Sequence, residues 1–135
     1  MLGTNISVDF SKSGGLVPAI IQDHRSGEVL MLGFMNAQSL AETQLSGEVV
    51  FFSRSRNKLW KKGESSGHLL KLRELLLDCD ADALLILVEP LGPGVCHEGY
   101  RSCFFRRVDQ SGSAIIAAEK TFDPSTIYSI SQEKK

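Results

Sequence analysis

The chain has no long hydrophobic run. Its longest strictly apolar stretch, Ala83 to Val88, has six residues, far short of the roughly 20 that a membrane-spanning helix needs. An excess of charge is missing too, with 15 Lys and Arg against 16 Asp and Glu. Generic binding to a nucleic-acid backbone leaves a basic footprint, so that class is disfavoured. Cysteine is scarce, and its count of three is odd. A fully paired disulfide framework within one chain is excluded, and thiols are the expectation in a reducing compartment. Asp9 and Lys12 stand where a secretory leader needs an apolar core, so a cytoplasmic chain is expected. Internal repeats and low-complexity tracts are absent. The 42% hydrophobic content is too high for disorder, and 135 residues suit one domain over 1–135 with a core of about 16–118 and loose polar ends.

What is present reads mostly as short strands. Leu16–Gln22 and Val29–Met35 are apolar runs of strand length, joined by a turn in which Gly27 can take positive φ. Pro18 donates no ladder hydrogen bond and predicts a sheet edge there. Asn36 can cap a helix over Ala37–Ser46, with Gly47 as its stop and Ala37, Leu40, Ala41 and Leu45 as its apolar positions. Val49–Phe52 and Ala83–Val88 read as strands. Leu69–Leu77 fits helical and extended templates equally, and Cys103–Val108 with Ser113–Ala118 predicts a final hairpin. The expectation is α+β, β-dominated and mainly antiparallel, with a barrel-like core and one helix.

Three stretches concentrate chemistry. In Asp78-Cys79-Asp80-Ala81-Asp82, three carboxylates in five residues repel one another unless a cation sits among them. In an extended or turning segment Asp78, Asp80 and Asp82 can converge on one side, a donor set suited to Mg²⁺. An acidic, solvated turn explains the same residues. In Cys96-His97-Glu98-Gly99-Tyr100-Arg101-Ser102-Cys103, two thiols and an imidazole form a soft-ligand cluster, and Cys79 is the third thiol. Zinc takes such ligands, and a site with three protein ligands keeps an open position for water. Paired Cys-x-x-Cys knuckles of structural zinc modules are missing. Buried cysteines acting as small hydrophobes are the bland alternative. His97 fits a ligand, a general base or a surface residue.

The third stretch runs from Ser53 to His68. Arg54 and Arg56 can fork onto phosphate, Lys61 and Lys62 add point charges, and Ser55, Ser65 and Ser66 bring hydroxyls. Trp60 can stack on a base or anchor a core. This equipment suits a phosphorylated, nucleotide-like small molecule, although no P-loop pattern occurs. A basic surface hairpin is the alternative.

Together these segments resemble the phosphoribosyl-AMP cyclohydrolase family. The matching pieces are Val17-Pro-Ala-Ile, Gly27-Glu-Val-Leu-Met31, Phe34-Met-Asn36, Ser53-Arg-Ser-Arg56, Leu59 to His68, Asp78 to Leu85 and Cys96 to Phe104. They span roughly residues 16 to 106, in the family's order. The resemblance implies a homodimer with Zn²⁺ and Mg²⁺ sites at the subunit interface. It implies zinc ligands Cys79, Cys96 and Cys103, with Cys79 from the opposite subunit, and magnesium ligands Asp78, Asp80 and Asp82. The implied reaction is hydrolysis of the N1–C6 bond of the adenine ring of phosphoribosyl-AMP, in histidine biosynthesis. His97 and His68 are then the candidates for proton transfer, because a histidine pKa lies near working pH. Arg54, Ser55, Arg56, Trp60, Lys61, Lys62, Ser65 and Ser66 are the candidates for binding substrate. Ser65 and Glu98 depart from the family's usual Thr at those places; serine keeps the hydroxyl, and Glu98 adds a charge beside the zinc ligands. A form lacking the sometimes-fused pyrophosphohydrolase is expected, since too few residues follow Cys103 for that domain. Other readings are a non-catalytic zinc-stabilised β module, a zinc deaminase, whose His-x-Glu and Pro-Cys-x-x-Cys pairing is absent, and a nucleic-acid-binding barrel.

Overall fold

The structure is a computed structural model that describes residues 7–126. Strands β1 (Val17–Asp23) and β2 (Val29–Met35) form an antiparallel hairpin, followed by helix α1 (Ala37–Ser46). Then come β3 (Val50–Ser53), β4 (Lys58–Lys61), β5 (Leu70–Leu77), β6 (Leu84–Pro90), β7 (Arg106–Val108) and β8 (Ala114–Ile116), with a 3-10 turn at Pro124–Thr126. One sheet has the order β2-β1-β6-β5, and β3–β4 and β7–β8 form separate pairs. The β-dominated character with one α-helix is as expected. A closed barrel is not found among the described residues, which hold three sheets. The main sheet is mixed, because β1 runs parallel to β6.

Leu69–Leu77 resolves as strand because β5 pairs along its length with β6, with a register shift between Leu72 and Glu74. Such pairing is non-local and outweighs a weak local preference. β1 is an inner strand, contrary to a simple edge placement for Pro18. Its ladder with β6 begins at Ala19, so Pro18 stands just outside that ladder and withholds no bond from it.

Helix α1 is bounded as its sequence dictates. The Asn36 side chain accepts from the Ser39 N–H at 2.8 Å, and Ser39 Oγ accepts from the Asn36 N–H at 2.9 Å. Gly47 closes the helix at φ 73°, donating to the Thr43 carbonyl at 2.9 Å. The buried residues are nevertheless Ser39 and Thr43, while Leu45 is 90% exposed. Thr43 is satisfied in the interior: its Oγ1 accepts from the Val50 N–H at 2.9 Å and donates to the Ser39 carbonyl at 2.8 Å. A paired polar group can occupy the core side of a helix.

The core lies between the main sheet and the β3–β4 pair. Val17, Ala19, Ile21, Leu30, Met31, Ile86 and Val88 meet Phe51 and Trp60, whose rings are 5.3 Å apart. Gly33 lets the two layers close up, since a Cβ there would stand 2.6 Å from the Phe51 ring. Glu48 links the layers, reaching Lys61 on β4 at 2.9 Å and Lys71 on β5 at 3.1 Å. Of the ends expected to be loose, residues 1–6 and 127–135 lie outside the described residues. Phe10 packs on the core and the Asp9 N–H donates to the Ala81 carbonyl. No helix among the described residues is long and apolar enough to cross a membrane.

Candidate active site

The acidic segment is the turn between β5 and β6. Ala81 takes φ 65° and bends it back, and the Asp78 carboxylate accepts the N–H groups of Asp82 at 3.0 Å and Ala83 at 3.1 Å. Carboxylate oxygens of Asp78, Asp80 and Asp82 then lie within 4.8 Å of one another. A hydrogen bond between Asp80 and Asp82 holds the first below the ordinary carboxylate range and pushes the second above it, and Lys12 adds a lowering influence on both. Three converging carboxylates of this kind fit a hard cation. Lys12, whose position near them no local sequence signal reveals, reaches Asp80 at 3.3 Å and Asp82 at 3.2 Å. Cys79, between the acids, is exposed.

The other two thiols are placed by a tight loop. The Cys96 N–H donates to the Tyr100 carbonyl at 3.1 Å, and the Cys103 N–H donates to the Leu30 carbonyl on β2 at 2.7 Å. Ser102 Oγ reinforces the tie by donating to the Val29 carbonyl at 2.8 Å. Tyr100 and Phe105 stack with centroids 3.8 Å apart and cover the loop. Cys96 and Cys103 are side by side, and the hydrogen bond from Cys103 lowers the Cys96 thiol to about 6 against the opposing effect of burial. The Glu98 N–H, 3.5 Å from Cys96 Sγ, and the His97 charge act in the same direction. A thiolate is the form that binds metal, so the pair fits a soft cation. Cys79 does not join them within one chain: among the described residues, the acidic triad is the one group of three potential ligands found close together.

Cys96, His97 and Cys103 line a cavity of about 330 Å³ with Met31, Trp60 and Lys62. Lys62 is only 4% exposed, with its ammonium 5.7 Å from the Trp60 ring centre. Trp60 is 2% exposed and packed on Phe51, so it is a core anchor that also forms a cavity wall. The remaining candidates are more dispersed. Arg54, Ser55 and Arg56 are exposed on the β3–β4 turn, where Arg54 lies over the Phe34 ring at 3.9 Å and borders a separate cavity with Gly14, Asn36 and Asn57. Lys61 is engaged by Glu48. Ser65 is exposed, while Ser66 Oγ accepts from the His68 N–H at 3.1 Å. His68 is buried and does not line the thiol cavity, with Nδ1 3.0 Å from the Gly94 carbonyl and its ring edge-on to Phe122 at 5.0 Å. A carbonyl only accepts, so Nδ1 carries the proton there. Arg106 and Glu98 also border the thiol cavity, a proximity that sequence spacing did not single out.

A small β-rich fold that brings two thiols, an imidazole and a buried ammonium to one cavity has the chemical make-up of an enzyme site. The family model for phosphoribosyl-AMP cyclohydrolase matches residues 31–105. A phosphoribosyl-AMP cyclohydrolase of Solibacter usitatus is 56% identical over 123 residues, covering 91% of this chain and 97% of the relative. Those of Nitratidesulfovibrio vulgaris and Geobacter sulfurreducens are each 52% identical, over 89% and 91% of this chain and 94% and 98% of theirs. The chain belongs to the phosphoribosyl-AMP cyclohydrolase family, and it is a hydrolase.

Proposed function

We propose that this protein opens the adenine ring of phosphoribosyl-AMP by hydrolysing its N1–C6 bond, a step of histidine biosynthesis. The observation that carries the reading is the adjacency of Cys96, Cys103 and His97 on one cavity, inside the segment that matches the family. Cys96, Cys103 and the Cys79 of a second copy would hold zinc, and Asp78, Asp80 and Asp82 would hold magnesium. Bound zinc supplies a Lewis acid that makes water a nucleophile near neutral pH.

The reaction adds the elements of water across one bond. The incoming oxygen bonds to C6, the N1–C6 electron pair moves to N1, and N1 takes a proton. His97 lines the cavity and is the group that carries this proton. Trp60 and Met31 shape the wall against which the purine lies. Lys62 brings a buried positive charge, and Arg54 and Arg56 on the exposed turn meet phosphate oxygens. Lys61 is withdrawn from that task by Glu48, and His68 braces the 92–94 loop. Exposure of Cys79, on a turn separate from the other thiols, supports a site completed by a second copy.

The test is ultraviolet absorbance of phosphoribosyl-AMP with purified protein, with zinc added or chelated. Ring opening should require metal, and Cys96→Ala should lose both turnover and stoichiometric zinc. No absorbance change under any metal condition, or full turnover in zinc-free Cys96→Ala, overturns the reading.

A further inference from the structure

The β7–β8 hairpin adds no buried residue to the core, since all six of its strand residues are exposed. An isolated two-stranded hairpin is marginal in water, so its order comes from its attachments. Those lie at its base. The Cys103 N–H donates to the Leu30 carbonyl, the Phe104 N–H to Ser102 Oγ at 2.9 Å, and the Ala117 N–H to the Phe105 carbonyl at 2.8 Å. Phe105 is 6% exposed and stacked on Tyr100. The next residue is Arg106, the first of β7, paired with Ile116 across the hairpin. Arg106 is also where the hairpin meets the thiol cavity, which it lines together with Lys62, His97 and Phe105.

The Arg106 guanidinium lies over the Phe105 ring, 5.0 Å from its centre. Contact with an aromatic face orients a guanidinium and keeps its N–H fork available to an anion. Several other cations of the surface are engaged by carboxylates: Lys61 and Lys71 by Glu48, Arg73 by Glu89, and Arg101 by Glu28. Arg106 is engaged by a ring instead. It is exposed yet lines the cavity, which puts it at the mouth, whereas Lys62 is buried in the wall. An arginine fork matches the oxygens of a phosphate monoester.

We propose that Arg106 is a specificity-determining residue that grips one phosphate monoester of the substrate at the mouth of the thiol cavity while the purine lies inside. It selects phosphorylated nucleotides over nucleosides. The β7–β8 hairpin is then the arm that carries this guanidinium, and the Tyr100–Phe105 stack is its footing. The inference rests on the ring-opening reading above and adds to it the group that holds a phosphate at this cavity. Arg54, on the border of a separate cavity, remains the candidate for the second phosphate.

Arg106→Gln and Arg106→Lys, with circular dichroism to verify folding, test it. Titration calorimetry with AMP, ribose 5-phosphate and adenosine reads affinity without turnover. Arg106→Gln should weaken binding of AMP or of ribose 5-phosphate by about tenfold or more, the scale of a hydrogen bond to a charged group, and leave adenosine within about twofold. The ester that weakens identifies which phosphate is held. Arg106→Lys should recover only part of the loss, because an ammonium cannot fork. With phosphoribosyl-AMP, Arg106→Gln should raise KM far more than it lowers kcat. A wild-type chain that binds neither ester, or unchanged affinity for both in the folded variant, overturns the proposal. An equal loss for adenosine overturns it too, since a merely structural role predicts that. Where Arg106→Gln fails to fold, Arg106→Lys decides by the same comparison of esters with adenosine. Ring opening by the wild type alongside unchanged ester affinity rejects the role of Arg106 alone. Absence of ring opening alongside the expected ester effect rejects the reaction and leaves the phosphate site standing.

Discussion

The ammonium of Lys12 lies 3.2 Å from Asp82, across the sequence from the N-terminal segment to the β5–β6 turn. It also reaches Asp80, so one side chain holds two of the three carboxylates that a divalent cation would use. Binding of the cation must displace or share this contact.

Removing the competitor should favour the cation. Lys12→Met is expected to tighten Mg²⁺ binding by about two- to fivefold, the scale of an exposed ion pair. Titration calorimetry of the folded protein reads it directly. Unchanged affinity would mean that Lys12 does not compete.

Glu48 gives the protein an acid-sensitive joint. Hydrogen bonds from Lys61, and next from Lys71, hold its carboxyl below the ordinary 4.5. A depressed folded value contributes stability that is complete above the unfolded value and is lost as pH falls through the folded one. Glu48→Gln should therefore destabilise the chain at neutral pH, by about 1 kcal/mol or less per pair. The difference from wild type should shrink below pH 4.5. Thermal unfolding at a series of pH values checks the sign, and a gap that widens toward acid would contradict it.

On the proposed mechanism the two histidines divide between chemistry and structure. His97→Gln should lower kcat by about a hundredfold, the lower range for general acid–base catalysis, with little change in Tm. His68→Ala should remove the partner of the Gly94 carbonyl and the ring beside Phe122, costing about 1–3 kcal/mol of stability. Paired measurements of kcat and Tm distinguish these outcomes, and a reversed pattern would reassign the proton carrier.

Thr43 should prove more important than the exposed Leu45 of α1. Thr43→Val keeps the shape but leaves the buried Val50 N–H without its Oγ1 acceptor, an expected loss of about 1–3 kcal/mol. Leu45→Ala, at an exposed position, should change stability by about 0.5 kcal/mol or less. Denaturant unfolding of both variants makes the comparison.

Local signals were legible and distant ones were not. Asn36 and Gly47 bound α1 because capping is settled within a few residues, and both termini fall where the sequence puts them. The face that α1 buries was legible only in part: Leu40 packs on the core, but Thr43 finds its partner on β3, outside any helical window. The ambiguity of Leu69–Leu77 ended only with β6 as a partner, and the parallel β1–β6 ladder joins segments separated by most of the fold. At the site, convergence of Asp78, Asp80 and Asp82 was readable because a short turn accomplishes it. Burial of Lys62 beside the thiols was not, because the same run of basic residues also contains the ion-paired Lys61 and the exposed Arg54.

The absence of a side chain at Gly33 governs more than local packing. Phe51 rests against that position and holds Trp60, while Met31, two residues back along β2, lines the thiol cavity together with Trp60. On the proposed function, the aperture open to a flat purine would thus depend on a hydrogen atom outside the cavity. Any added methyl at Gly33 would act as a wedge between the layers, displacing Phe51 and with it Trp60 while leaving every thiol and imidazole chemically intact.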